Sequence, residues 1–242
     1  MLKITETEVF GWKAAIRGMR NAHESWDKSD SEWYPIGMPG TNRAAINDIY
    51  LSQKYCLGDN DLTLMKKLVA AGMDHSKFMR MIHVQCDWEA PLYWWKEADT
   101  YKVGTVRNSC STMHKITEHE FTMDMFAHEH LERRALNTLE DTIDELNYWR
   151  EYYLSMVKQN VPGADKKTKE IWWQMIQLLP SSYNQKATMD LNYQVLRNMY
   201  HSRKHHKQDE WRVDFCNWVK TLPYSELITM TKEELLESIK EE

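Results

Sequence analysis

The pattern of apolar and polar positions is clearest in the middle of the chain. From Leu136 to Met156, apolar side chains recur every three or four residues. This spacing places them on one face of a helix for about five turns. Residues 62–69 show the same spacing and are followed by Gly72, a residue type that commonly ends helices. Both segments are predicted to be helices that pack through one face.

Shorter segments with helical spacing predict further helices over residues 6–21, 89–99, 172–179 and 187–202. Thr231 and Glu234 form the capping-box pattern, which predicts a short C-terminal helix. The prolines and glycines of residues 27–42 predict a loop. Residues 78–86 alternate between apolar and polar positions, apart from Arg80, and are predicted to form a strand. The pattern therefore indicates a helix-dominated α+β fold with a small sheet.

Length and composition limit the domain count and the location. A chain of 242 residues with 42% hydrophobic content can bury a substantial core, so one domain covering residues 1–242 is predicted. The linker candidate, residues 158–167, is short enough to be a surface connection. No apolar run approaches the ~20 residues that cross a bilayer, so no membrane partner is expected. The four widely spaced cysteines, without a secretory segment before them, favour a cytoplasmic protein.

Charge and motif content exclude several classes of function. The formal net charge of -5 is spread without a basic face, so no nucleic-acid partner is expected. The chain has 8 glycines and neither GxGxxG nor GxxxxGK[ST], so side chains or helix ends must hold any nucleotide phosphate. His128 and His130 are separated by two positions and diverge on a helix, so no metal site is predicted. Cys110 lacks a recognisable activating base and is predicted to be a small buried thiol.

Two segments in the first half of the chain carry candidate chemistry. His75 stands between a predicted helix and the predicted strand, where it can contact a ligand or satisfy carbonyls at the helix end. Residues 101–114 combine several hydroxyl groups with Lys102 and Arg107, as an anion site without a Gly-rich loop requires. The same segment is equally compatible with a solvated loop whose hydroxyls close turns.

A third candidate lies on the predicted helix 187–202. Asn192 and Arg203 are separated by about three turns and would share one apolar stripe, while Asn198 would face another side. Because polar side chains on an apolar stripe are costly to bury alone, a ligand, another chain or each other's partners should satisfy them. An exposed helix end whose basic residues offset the dipole would explain Arg203 but not Asn192.

Taken in order, these segments resemble the flavin-dependent thymidylate synthases. His75 resembles the histidine that follows a helix in that family. Residues 101–114 align with the family signature RHRxxSxNExSxRY through Asn108 and Ser111, with Ser109 at the position of the glutamate. The family also has a later pattern of LP, TY, N, N and R. This chain has a similar order of residues in Leu179-Pro180, Ser182-Tyr183-Asn184, Asn192, Asn198 and Arg203.

The resemblance implies a helix-dominated fold with a small, mostly antiparallel sheet and flanking helices, in a homotetramer whose sites lie between subunits. It implies methylation of the pyrimidine nucleotide dUMP without a protein nucleophile, with FAD as cofactor and methylene-tetrahydrofolate and NADPH as co-substrates. Arg203 would be the catalytic residue that polarises the pyrimidine. The implied substrate-binding residues are Arg107, Ser109, Ser111 and Arg203. The implied cofactor-binding residues are His75, Lys102, Asn108, Asn192 and Asn198.

The aligned segment also departs from the signature. Tyr101-Lys102-Val103 stands where RHR is expected, and Met113 stands at the position of the last arginine. These changes remove charge-assisted hydrogen bonds worth ~1.5–3 kcal/mol each, and Lys102 and Arg107 restore only part of them. Two alternatives therefore stay open. One is hydroxymethylation or reduction of another pyrimidine nucleotide, and the other is a non-catalytic nucleotide-binding or assembly protein that keeps the fold.

Overall fold

The structure is a computed structural model and describes residues 1–35, 53–159 and 164–241. Its strands are β1 (Lys3–Phe10), β2 (Glu32–Pro35), β3 (Gln53–Cys56), β4 (His83–Pro91), β5 (Val106–Ser109) and β6 (Asn184–Asn192). Its helices are α1 (Trp12–Arg20), α2 (Asp59–Ala71), α3 (Leu92–Ala98), α4 (Thr112–Lys115), α5 (Arg133–Gln159), α6 (Ala164–Leu178), α7 (Tyr193–Arg203), α8 (Cys216–Thr221), α9 (Glu226–Thr229) and α10 (Lys232–Glu241). A π-helix, Glu210–Phe215, leads into α8.

The central sheet has the strand order β1-β4-β6-β5, and every neighbouring pair is antiparallel. β4 and β6 pair from His83 opposite Asn192 to Pro91 opposite Asn184. Alternate residues of both strands, such as Val84 and Met189, are buried in the main core. β5 pairs with β6 on one side and forms an edge of this sheet. β2 and β3 form a separate antiparallel pair.

Two hydrophobic clusters hold the fold together. The larger cluster joins the central sheet to α1, α2, α3, α7 and the C-terminal helices. The second cluster holds α5 and α6 against residues 116–126, with Leu146 and Met175 fully buried. A β-bridge between Phe126 and Tyr183 connects this second cluster to the start of β6. No helix within the described ranges is long and apolar enough to cross a bilayer.

Several predictions from the sequence pattern are confirmed. The helix-dominated α+β fold with a small antiparallel sheet is observed. The long central helix is α5, and α2 ends at Gly72, whose φ of 110° is easily adopted by glycine. The capping box also forms. The Glu234 carboxylate accepts from the Thr231 backbone N–H at 2.7 Å, and the Glu234 backbone N–H donates to Thr231 Oγ1 at 3.3 Å. Local patterns were therefore sufficient for these helices.

Two predictions near the N-terminus were wrong. Residues 6–10 belong to β1, and the predicted helix begins only at Trp12, after Gly11 adopts a φ of 96°. Residues 32–35 form β2 within the predicted loop 27–42, while residues 36–42 lie outside the described ranges. In both cases pairing with a distant strand, β4 or β3, determines the conformation.

The strand and helix boundaries around β4 and β6 were also wrong. Residues 77–81 form a 3-10 segment, and β4 runs to Pro91, so the helix predicted from residue 89 begins at Leu92. Residues 187–192, predicted as helical, belong to β6, because this strand pairs with both β4 and β5. Of the predicted connection 158–167, residues 158–159 belong to α5 and residues 164–167 belong to α6, while residues 160–163 lie outside the described ranges.

Candidate functional site

The segment aligned with the family signature forms a loop, the edge strand β5 and the start of α4. In β5, Arg107 lies opposite Met189, and Asn108 lies opposite Thr188. Met189 is buried and Thr188 is exposed, so Arg107 faces the covered side of the sheet and Asn108 faces the open side. Ser109 shares the side of Arg107. The strand therefore directs its candidate residues to opposite faces.

A cavity of about 350 Å³ lies between the end of α3 and strands β5 and β6. We call it the arginine cavity, and its lining residues are Ala98, Asp99, Tyr101, Lys102, Thr105, Arg107 and Met189. Lys102 is exposed and forms no ion pair with any residue that the structure describes. The cavity thus combines a free ammonium group with a guanidinium group, as recognition of an anionic ligand requires.

Arg107 is fixed on three sides. Its guanidinium lies 3.8 Å from the centroid of the Trp95 ring. Its Nη1 donates to both carboxylate oxygens of Asp99 at 2.7 and 2.8 Å, and its Nη2 donates to Gln185 Oε1 at 2.5 Å. Its Nε is buried and has no hydrogen-bond partner among the described residues. Arg107 is therefore charge-paired, with one donor unsatisfied.

Arg203, the last residue of α7, lies next to the arginine cavity. Its Nε donates to Tyr101 Oη at 2.9 Å, and its Nη1 pairs with Glu97 at 2.9 Å. The guanidinium also lies 5.1 Å from the Trp211 ring centroid, and 14% of the side chain is exposed. Tyr101, which lines the cavity, thus links Arg203 to it. Helix α3 supplies the carboxylates that pair with both arginines, Asp99 immediately after its end and Glu97 within it.

A second cavity, of about 200 Å³, lies at the other end of β5. We call it the serine cavity, and its lining residues are Glu89, Cys110, Ser111, Thr112, Lys115, Tyr183, Asn184, Gln185 and Lys186. Ser111 is the N-cap of α4, and its Oγ accepts from the His114 backbone N–H at 3.4 Å. A hydrogen bond and the charge of Asp87 raise the pKa of Lys186, so its ammonium stays protonated. Burial raises the pKa of Tyr183, so its phenol stays neutral.

Asn192 is not on a helical stripe with Arg203, contrary to the prediction, because it precedes α7 as its N-cap. Its Oδ1 accepts from the Val195 backbone N–H at 3.0 Å, and its Nδ2 donates to the Gly104 carbonyl at 3.4 Å. A Cβ on Gly104 would come within 2.9 Å of Asn192 Nδ2, so glycine permits this close approach. The buried Asn192 therefore joins the start of α7 to the loop that lines the arginine cavity.

The turn at His75 is connected to α7 through its neighbour. Ser76 is buried and donates to Gln194 Oε1 at 3.1 Å, and Gln194 Nε2 donates to Asn198 Oδ1 at 3.2 Å. The His75 ring is exposed and forms no hydrogen bond within the described ranges, so the structure gives no support to the helix-end role. His75 therefore lies next to a partly buried hydrogen-bond network that runs from Ser76 through Gln194 to Asn198.

The predicted residues thus fall into four groups rather than one cavity. Lys102, Arg107 and, through Tyr101, Arg203 surround the arginine cavity, and Ser111 lines the serine cavity. Asn192 caps the start of α7, Asn198 lies within α7, and His75 precedes Ser76, which donates to Gln194 of that helix. Asn108 and Ser109 are exposed on β5. Cys110 is exposed rather than buried, contrary to the prediction.

Sequence reasoning missed Asp99, Glu97 and Gln185, which fix the two arginines. No local pattern marks these residues, because Glu97 and Gln185 contact arginines that are distant in the sequence, and Asp99 meets Arg107 from the end of a different element. In the part of the chain that the structure describes, no group of three His, Cys, Asp or Glu residues could hold a metal ion.

The fold is similar to that of solved structures of flavin-dependent thymidylate synthases. Thymidylate synthase X (ThyX) from Helicobacter pylori, solved with FAD and dUMP, matches with a TM-score of 0.62 and 12% identity over 100% of both chains. A second Helicobacter pylori ThyX structure, complexed with FAD and dUMP, matches with a TM-score of 0.61 and 12% identity over 93% of this chain and 96% of that chain. No protein-family model and no curated protein matches the sequence. The described part of the chain therefore has the fold of these structures.

Proposed function

We propose that the chain is a flavin-dependent enzyme that modifies a pyrimidine nucleotide. Methylation of dUMP to dTMP with methylene-tetrahydrofolate is the reaction that the family resemblance implies. The observation that carries the proposal is the full-length similarity of fold to ThyX structures that contain FAD and dUMP. Two polar cavities border the segment aligned with the signature, which supports a ligand site there.

The serine cavity suits the phosphate of the nucleotide. Ser111 and Thr112 offer hydroxyl donors, and Lys115 and Lys186 offer positive charge. The lysines pair with Glu118 and Asp87, which lie outside the lining, so an incoming phosphate would compete with exposed ion pairs of low strength. A cavity of about 200 Å³ is too small for a whole nucleotide but large enough for its phosphate end.

The arginine cavity suits part of FAD. Lys102 is free to pair with a flavin phosphate, and the orphaned Arg107 Nε is a donor that lacks a partner in the described residues. A cavity of about 350 Å³ is small for a dinucleotide, so the rest of FAD would lie along His75, Asn192 and Asn198. A second subunit of the implied homotetramer would cover this surface. When bound, reduced flavin would supply the reducing equivalents that turn the transferred one-carbon unit into a methyl group.

Arg203 would hold and polarise the pyrimidine. Its guanidinium is mostly covered, so its charge acts in surroundings of low dielectric constant. Glu97 pairs with Nη1, so Nη2 could donate to a pyrimidine carbonyl. Nη1 would also become available if Glu97 rotated away. Tyr101 fixes Nε and thereby the plane of the group. Arg203 would thus orient the substrate without forming a bond to it.

A second candidate is a non-catalytic nucleotide-binding or assembly protein that keeps the fold. One observation favours it. Both arginines of the proposed site carry a carboxylate partner from the region of α3, and these pairs neutralise the charge that would attract an anionic ligand. The two candidates differ in whether a bound ligand displaces Asp99 and Glu97 from the arginines.

The test is a ligand-binding measurement on purified protein. We expect a flavin absorbance band in the purified or FAD-reconstituted protein, and a dUMP-induced rise in melting temperature through mass action. A parallel screen with dCMP and UMP identifies the preferred pyrimidine nucleotide. Protein that binds neither FAD nor any of the three nucleotides would contradict the proposal.

Two matched arginine variants locate the site. Arg203→Ala should weaken binding of dUMP by about tenfold or more, because it removes a charge-assisted contact. Arg212→Ala removes an exposed arginine that pairs with Asp209 nearby, and it should leave dUMP binding unchanged. Methyl transfer to dUMP from methylene-tetrahydrofolate separates the enzyme from the non-catalytic candidate, since only the enzyme forms dTMP.

A further inference from the structure

Gln185 lines the serine cavity and is hydrogen-bonded to Arg107, which lines the arginine cavity. On one side, its Oε1 accepts from Arg107 Nη2 at 2.5 Å. On the other side, its Nε2 donates to the Cys110 carbonyl at 3.0 Å and to Thr112 Oγ1 at 3.1 Å. The side chain also lines the serine cavity. One amide group therefore joins the guanidinium of the arginine cavity to the turn that carries Ser111.

The backbone of Gln185 acts on the same arginine. Its carbonyl accepts from Trp95 Nε1 at 3.0 Å, and Trp95 is the ring against which the Arg107 guanidinium lies. Trp95 is buried and also donates to the Ala90 carbonyl at 3.1 Å, so its ring is held in place. Arg107 is thus fixed by Gln185 directly and through Trp95.

The chemistry of the glutamine side chain is specific to this position. Arg107 requires an acceptor, and the Cys110 carbonyl requires a donor. A glutamate would keep the acceptor and bring a negative charge next to the Cys110 carbonyl. An alanine would leave the partly buried Arg107 Nη2 without this partner, and unsatisfied donors of this kind are costly.

We propose that Gln185 is a positioning residue that couples the serine cavity to the arginine cavity. A ligand that engages Ser111 or Thr112 displaces or tightens the 110–112 turn. The turn then moves the Gln185 amide through its hydrogen bonds to Cys110 and Thr112, and the amide changes the position of the Arg107 guanidinium. The coupling is reciprocal, so a ligand in the arginine cavity changes the affinity of the serine cavity by the same factor. The identity of the two ligands, dUMP and FAD, rests on the proposed function.

The first arm of the test measures ligand coupling with dUMP and FAD as probes. In the wild-type protein, saturating FAD should change the dissociation constant of dUMP by about fivefold or more. Gln185→Ala should bring this factor close to one. Gln185→Glu should also lose the coupling while still holding Arg107. Gln85→Ala removes a glutamine of the same sheet whose amide contacts only Asp190 among the described residues, and it should retain the full factor.

The second arm uses no ligand and therefore separates this inference from the proposed function. Thr112→Val removes a hydrogen bond to Gln185, and we expect it to shift the NMR signals of the Arg107 guanidinium and the Trp95 indole. The same change in a Gln185→Ala background should not shift them. Melting temperatures verify that all variants are folded. Equal shifts in both backgrounds, or a coupling factor that survives Gln185→Ala, would overturn the proposal.

Discussion

At the scale of single residues, a buried ion pair anchors the N-terminal region. Arg20 and Asp61 are almost fully buried, and Arg20 Nε donates to Asp61 Oδ1 at 2.6 Å. Ser29 and Ser31 both donate to Asp61 Oδ2 at 2.6 Å. Burial alone would raise the pKa of Asp61, but these hydrogen bonds outweigh it and hold the pKa below its ordinary value. The carboxylate is therefore charged and fully engaged at neutral pH.

We expect Asp61→Asn to lower the free energy of unfolding by about 3–5 kcal/mol, because it leaves the buried Arg20 charge without its partner. The folded-state pKa of Asp61 is lowered, so its contribution is present above the unfolded value of about 4 and is lost as pH falls through the folded value. Urea titrations between neutral and acid pH should show a weaker acid dependence in Asp61→Asn.

Asp141→Asn is the matched control for this prediction, because Asp141 is exposed on α5. Its effect on unfolding should stay within about 0.5 kcal/mol. A loss in Asp61→Asn no larger than in Asp141→Asn would show that the pair does not stabilise the fold.

At the scale of single elements, the start of α7 combines capping with a proposed cofactor contact. Asn192 Oδ1 caps the helix, whereas Nδ2 contacts the loop of the arginine cavity. Aspartate keeps the capping oxygen and replaces the donor with an acceptor. The two roles of Asn192 can therefore be separated by substitution.

We expect Asn192→Ala to cost about 1 kcal/mol of stability through loss of the cap, and Asn192→Asp to cost less. Both variants should bind FAD more weakly than wild type, because neither can donate to the Gly104 carbonyl or to a flavin. Thermal unfolding and FAD titration measure the two effects. Thr231→Ala, which removes the cap of α10, should lose stability without weakening FAD binding. Wild-type FAD affinity in Asn192→Asp would refute the cofactor role.

At the scale of the whole molecule, the two hydrophobic clusters could unfold together or separately. The α5–α6 pair has its own cluster, and its link to the sheet includes the Phe126–Tyr183 bridge and the hydrogen bond from the Ala127 N–H to the Ser182 carbonyl at 2.8 Å. A single domain, as the sequence predicts, requires both clusters to unfold together.

We expect Leu146→Ala to lower the free energy of unfolding by about 2–5 kcal/mol, because Leu146 is fully buried in the second cluster. Under the single-domain prediction, hydrogen exchange should lose protection in β6 as well as in α5. Leu154→Ala, at a position that is 40% exposed, should change little. Protection lost in α5 and α6 alone would contradict one cooperative domain.

The sequence predicted the elements whose signals are local. The three-four spacing of α5, the stop of α2 at Gly72 and the capping box of α10 all lie within a few turns of the residues they organise. It did not predict β1 or β6, because their apolar spacing is also compatible with a helix. Their partners in the sheet lie about 70 to 110 residues away in the chain.

The same distinction applies to the candidate site. The sequence by itself determined which residue types could bind a ligand in the site, and the examples are Lys102, Arg107, Ser111, Asn192 and Arg203. The order of these residues along the chain indicated the fold. Tertiary structure decided what those residues contact. Asp99, Glu97 and Gln185 meet the arginines only because α3 and β6 pack beside β5 and α7. Side-chain partners across separate elements depend on the packed chain, since no local spacing encodes them.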